Sequence, residues 1–266
     1  MDLEIKTIEK LKEIIKDYND KTIDVNFFES IIRELNNDKL FSNILKLEFS
    51  NKNLIMETDT REKNKGLIII NLKNTIKDMH RHIVGFISEV ELNKLQIYFG
   101  MYYILHECGH VLQELWAYDN KNEYDAINRI YSNMTRKMNK SKYVEIVYNL
   151  NRLSFFTERN ANVMAFELLG LLYEDDNKIH SINNKYYLYN LFSIYDFNKK
   201  KTPIEITYKL IREKNLIDTG DIPFEILLKH GLVLNEEQWK TLETLFHSYD
   251  ISYSPVTLSE DNVNKI

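Results

Sequence analysis

Tyr102-Tyr103-Ile104-Leu105-His106-Glu107-Cys108-Gly109-His110-Val111-Leu112-Gln113 is the stretch on which the fold of this chain turns. Met101, Leu105, Cys108, Leu112 and Leu115 form an apolar stripe that predicts one long helix from Glu91 to about Tyr118. On that helix His106 and His110 are one turn apart, so both imidazoles leave the same face and can bind one ion. Glu107 lies about 100° further round, beside such an ion rather than on it. A carboxylate there can take a proton from a bound water and later pass it to a leaving amine. Cys108 faces the other way and reads as a small core hydrophobe, not a ligand. Gly109 costs about 1 kcal/mol relative to Ala inside a helix, which points to a close-packed neighbour.

A catalytic zinc takes three protein ligands and keeps one open position. Two histidines are therefore too few. A third histidine in the metzincin spacing would fall on Trp116, and the glycine of that pattern on Gln113, so that class is excluded. The other common third ligand is a glutamate on a later helix. Phe155-Phe156-Thr157-Glu158-Arg159-Asn160-Ala161-Asn162 opens such a helix, expected to run from about Phe156 to Glu174. Glu158, Ala161, Asn162 and Ala165 share one of its faces, and the two alanines allow close approach to the histidine helix. Asn162, one turn past Glu158, is a candidate for orienting a ligand histidine through its second ring nitrogen.

Working outward, Leu3 to Tyr18 and Phe27 to Leu35 carry helical stripes and read as packing helices. Ile44 to Phe49 alternates apolar and charged residues, Asn53 to Thr58 is a second short strand, and Gly66 to Leu72 is a β-branched run bounded by polar residues. With polar turns between them, the three predict a small antiparallel meander. The third run is either an ordinary buried strand or an edge that could hold an extended peptide. Further helices are expected at 124–137, 142–151, 205–213, 223–230 and 236–249, while 75–91 is ambiguous. The prolines, Pro203, Pro223 and Pro255, all fall late in the chain. With Asn198-Lys199-Lys200-Lys201, they mark a boundary near residue 200. Residues 1–200 are thus expected to form one domain, with packing helices in 1–40, and 201–266 a helical extension.

Composition agrees with a helical, core-forming chain. Of 266 residues 44% are hydrophobic and 28% charged, with only 7 glycines and 3 prolines, too few for a turn-dense all-β fold. A net charge of -5 gives no global attraction to nucleic acid, and no direct nucleic-acid binding is expected. The single cysteine excludes an internal disulfide and fits a reducing compartment. The apolar run Ile97 to Leu105 falls far short of the roughly 18 residues of a membrane span. A cytoplasmic protein with no membrane partner is expected.

His106-Glu107-Cys108-Gly109-His110, followed by Glu158-Arg159-Asn160-Ala161-Asn162 and Val163-Met164-Ala165-Phe166-Glu167-Leu168-Leu169, resembles the ImmA/IrrE-type metallopeptidases, a compact gluzincin-like group. The resemblance spans about residues 40–175. It implies an α+β, mostly helical fold, in which a zincin-like core packs a small sheet on the active-site helix. It also implies Zn2+ held by His106, His110 and Glu158, with Glu107 as the catalytic base. The implied reaction is hydrolysis of a peptide bond in a protein or peptide substrate, often a transcriptional repressor. The rival expectations are a catalytically idle metal-binding regulatory protein on the same scaffold, and a helical interaction module in which the motif is accidental.

Overall fold

The computed structural model describes residues 3–60, 65–122, 124–125 and 156–192, with side chains throughout except at 156–160 and 187–192. The described residues fall into two compact units. One holds those of Met1–Leu115 and Ala161–Lys185, the other those of Trp116–Asn160 and Tyr186–Ile251. The expected helices beyond residue 200 and the boundary there lie outside the described residues, as do the helix at 142–151 and nearly all of that at 124–137.

The first unit begins with α1 (Ile5–Tyr18) and α2 (Val25–Asn36), which pack on each other. Asp24 caps α2 by accepting the amide of Phe27 at 3.0 Å. The helix buries Phe27, Phe28, Ile31, Ile32 and Leu35, which follow its apolar stripe. Asn36 then pairs its side-chain amide with both backbone groups of Leu45 at 2.9 Å, which fixes where β1 (Leu45–Phe49) starts.

β2 (Met56–Asp59) and β3 (Gly66–Ile70) complete a three-stranded sheet in the order β1-β3-β2. The strands do not form the expected antiparallel meander. β3 is antiparallel to β2 but parallel to β1, so the sheet is mixed and its last strand lies in the middle. Burial explains the order. Gly66-Leu67-Ile68-Ile69-Ile70 is apolar on both faces and gains most from neighbours on both sides, whereas β1 and β2 carry Lys46, Glu48, Glu57 and Asp59 and suit edges. A peptide-holding edge at β3 is thereby excluded.

α3 (Leu72–Ile83) takes up most of the ambiguous segment and begins at Leu72, which was expected to end the third strand. Its cap, Asn71, accepts from the Asn74 amide at 3.0 Å. The same turn ties down the approach to β2. Asn71 donates to the Lys52 carbonyl, Asn74 to that of Leu54, and the Thr75 hydroxyl to that of Ile55.

α4 (Leu92–Asp119) is the long helix expected from the stripe, and it is the axis of the core. Leu95, Ile97, Tyr98, Phe99, Met101, Ile104, Leu105, Cys108 and Val111 are all buried, so the helix is enclosed on more than one face. α5 (Phe156–Leu172) and α6 (Asn177–Phe192) follow. α6 had no sequence counterpart. Asp176 begins it by accepting the amides of Lys178 and Ile179. Buried Asn183 joins three helices, accepting from the Tyr98 hydroxyl at 2.9 Å and donating to the Phe166 carbonyl at 3.1 Å. The described part is mostly helical with one small sheet, an α+β arrangement. No helix among the described residues is long and apolar enough to cross a membrane.

Candidate functional site

The i, i+4 spacing on α4 brings the two imidazoles together as expected. Their Nε2 atoms are 3.1 Å apart, with ring centroids at 4.7 Å and planes at 90°. Two nitrogens on one tetrahedral zinc, each at about 2.0–2.1 Å, stand roughly 3.3 Å from each other. The observed separation is within a few tenths of an ångström of that edge, so the two histidines fit a shared cation. Gln113 Oε1 lies 3.2 Å from Nδ1 of His110. As an acceptor it makes Nδ1 the protonated nitrogen and leaves the Nε2 lone pair facing His106.

Glu107 is 8% exposed and projects toward the sheet. There the hydroxyl of Thr58 on β2 stands 2.6 Å from its Oε2 and 3.1 Å from its backbone carbonyl. Four residues further along α4, Val111 fills the space beside Gly66, where any Cβ would collide with its side chain. β2 and β3 are therefore both seated on the turn of α4 that carries the motif. Cys108 is fully buried, and burial pushes its thiol well above the usual range, in keeping with a packing role.

α5 closes on α4 from another side. A Cβ at Gly109 would stand 2.8 Å from Ala161 Cα, so the missing side chain is what admits the second helix. Asn162 Oδ1 accepts from the Tyr102 hydroxyl at 2.6 Å, and the Tyr102 ring lies 6.0 Å from that of His106, centroid to centroid. The oxygen expected to orient a ligand histidine thus holds Tyr102, which borders His106. Glu158 belongs to α5, one turn before Asn162, and its side chain is not among those described. Among the described residues no group of three or more His, Cys, Asp and Glu side chains gathers as a metal would require.

A second polar cluster leans on α4 from α3. Tyr103 donates its hydroxyl to Asp78, whose carboxylate also meets Arg81 at 3.3 Å and His82 at 3.7 Å. Burial opposes the charge on Asp78, but the bonds from His82 and Tyr103 outweigh it and hold its carboxyl below the usual range. His82 stacks on Phe99, and His80 faces Gln96 at 3.2 Å, where burial lowers its affinity for a proton. The two histidines thus have separate partners on a helix.

Thr58, Tyr102 and Gln113 border the motif, and none of them had a role there on the sequence alone. Gln113 could have been found, since it is three residues from His110 on the same helix. Thr58 could not, because its place depends on strand order. Compared with protein-family models, with curated proteins and with solved structures, the chain matches none.

Proposed function

We propose that this chain is a zinc-dependent peptidase that hydrolyses a peptide bond in a protein substrate. The observation that carries the proposal is the pair of imidazoles on one turn of α4, Nε2 to Nε2 at 3.1 Å, with a buried carboxylate on the adjoining residue. His106, His110 and Glu158 would hold the metal. Glu158 is favoured because Ala161 and Asn162, one turn on in the same helix, lie against Gly109 and Tyr102 of α4. When bound, zinc supplies a Lewis acid and an open coordination position.

The protein's own residues would do the rest. Glu107 takes the proton of the attacking water and delivers it to the amine as the peptide bond breaks. Gln113 holds the tautomer of His110. β2 is the sheet edge tied to Glu107 through Thr58, and an extended substrate segment could pair there through its backbone.

The test is metal analysis of the purified protein beside His106→Ala and Glu158→Ala, with turnover measured on Glu107→Gln. About one zinc per chain, lost in both ligand variants, supports the site. Glu107→Gln should keep its zinc and lose hydrolysis. Full zinc in Glu158→Ala would overturn the third-ligand assignment. Stoichiometric zinc with wild-type turnover no higher than that of Glu107→Gln would favour the idle regulatory protein.

A further inference from the structure

We infer that Thr58 is the positioning residue for Glu107, an inference that rests on the peptidase reading of the site. Thr58 pairs with Ile68 in the sheet register, and paired residues on neighbouring strands share a face. The Thr58 hydroxyl reaches Glu107 of α4, so this face of β2 is the one turned to that helix, where a β-branched apolar residue would be the ordinary choice. A hydroxyl stands there instead, and its contacts are the two oxygens of Glu107 already described.

One hydroxyl carries one proton, and the two acceptors compete for it. The carboxylate oxygen at 2.6 Å is nearer than the backbone carbonyl at 3.1 Å, so the proton goes to the carboxylate. That bond pins Oε2 and sets the plane of the carboxylate. It also narrows the rotamers open to Glu107 on the turn that carries the histidine pair. A general base gains from such restraint because proton transfer depends on its orientation at the moment of attack. The edge strand therefore has a second task besides pairing: it aims the base. Thr58 touches no reacting atom in this scheme and acts only through Glu107.

The experiment uses the zinc-loaded full chain and acetohydroxamate as probe, whose hydroxyl proton can pass to a carboxylate beside the metal. Zinc content and probe Kd are measured for wild type, Thr58→Val, Thr58→Ser and Glu107→Gln, and for Thr58→Val combined with Glu107→Gln. Thr58→Val should retain one zinc per chain and bind the probe about tenfold more weakly, the scale of losing a partner that orients a site group. Thr58→Ser should restore binding to within about twofold, since it returns the hydroxyl. In the Glu107→Gln background, Thr58→Val should change the Kd no further. Unchanged Kd in Thr58→Val, or the same tenfold loss in the Glu107→Gln background, would overturn the inference and leave the peptidase reading standing. A wild type that takes up no zinc overturns that reading, and this inference falls with it.

Discussion

Around Asp78 every described partner brings a proton or a positive charge, whereas around His110 two nitrogens of the same kind meet. Asp78 receives Tyr103, Arg81 and His82, and its charge is answered within the cluster. His106 and His110 stand Nε2 to Nε2, and the nearby acid is turned to the sheet by Thr58. Both groups lean on the same helix, and both combine histidine with a carboxylate. The difference is what each can bind. A carboxylate ringed by donors joins α3 to α4. Two converging imidazoles suit a shared cation.

The comparison is broken most sharply by exchanging the two kinds of loss. His110→Ala should weaken zinc binding by more than about a hundredfold while leaving the melting of the metal-free protein nearly unchanged. Asp78→Asn should do the opposite, lowering the melting temperature with zinc affinity intact. Equal effects of both variants on both readouts would erase the distinction, and isothermal titration beside thermal melts separates the cases.

Gly109→Ala comes next in size. Alanine gains about 1 kcal/mol of helix propensity but presses a methyl against the backbone of Ala161, an overpacking cost of about 3 kcal/mol. The net loss, about 2 kcal/mol in urea unfolding, should appear together with weaker zinc uptake, because α5 also carries Glu158. A more stable Gly109→Ala would mean that the helices are not in close contact there.

The smallest effect is the pH dependence of the Asp78 cluster. Its folded carboxyl lies below the ordinary value of about 3.9, so the unfolded state binds the proton first. The stabilisation is fully present above that ordinary value and is lost as pH falls through the folded one. Wild type should exceed Asp78→Asn by about 1 kcal/mol at pH 7, allowing for partial solvent screening. The gap should close in acid, as melts taken between pH 7 and pH 2 would show.

α1, α2, α4 and α5 were legible in the sequence, although in α4 the expected stripe is buried at Met101, Leu105 and Cys108 and only half-buried at Leu112 and Leu115. α3 and α6 were not. Their buried positions include Thr75 and Asn183, polar residues that break the stripe yet find partners in the fold. Strand existence was readable, but the mixed order was not. Placing β3 between β1 and β2 is decided by burial on both of its faces, not by adjacency in the chain. The meeting of His106 and His110 follows from helical geometry alone. Thr58 meets Glu107 across 49 positions of chain and depends on which strand became the edge.

The most direct measurement is anomalous diffraction at the zinc edge from crystals of the zinc-loaded protein. One peak at about 2.1 Å from Nε2 of both His106 and His110, and at about the same distance from a Glu158 carboxylate oxygen, is the predicted result. A Glu158 carboxylate far from that peak, or no peak beside the two rings, would contradict it.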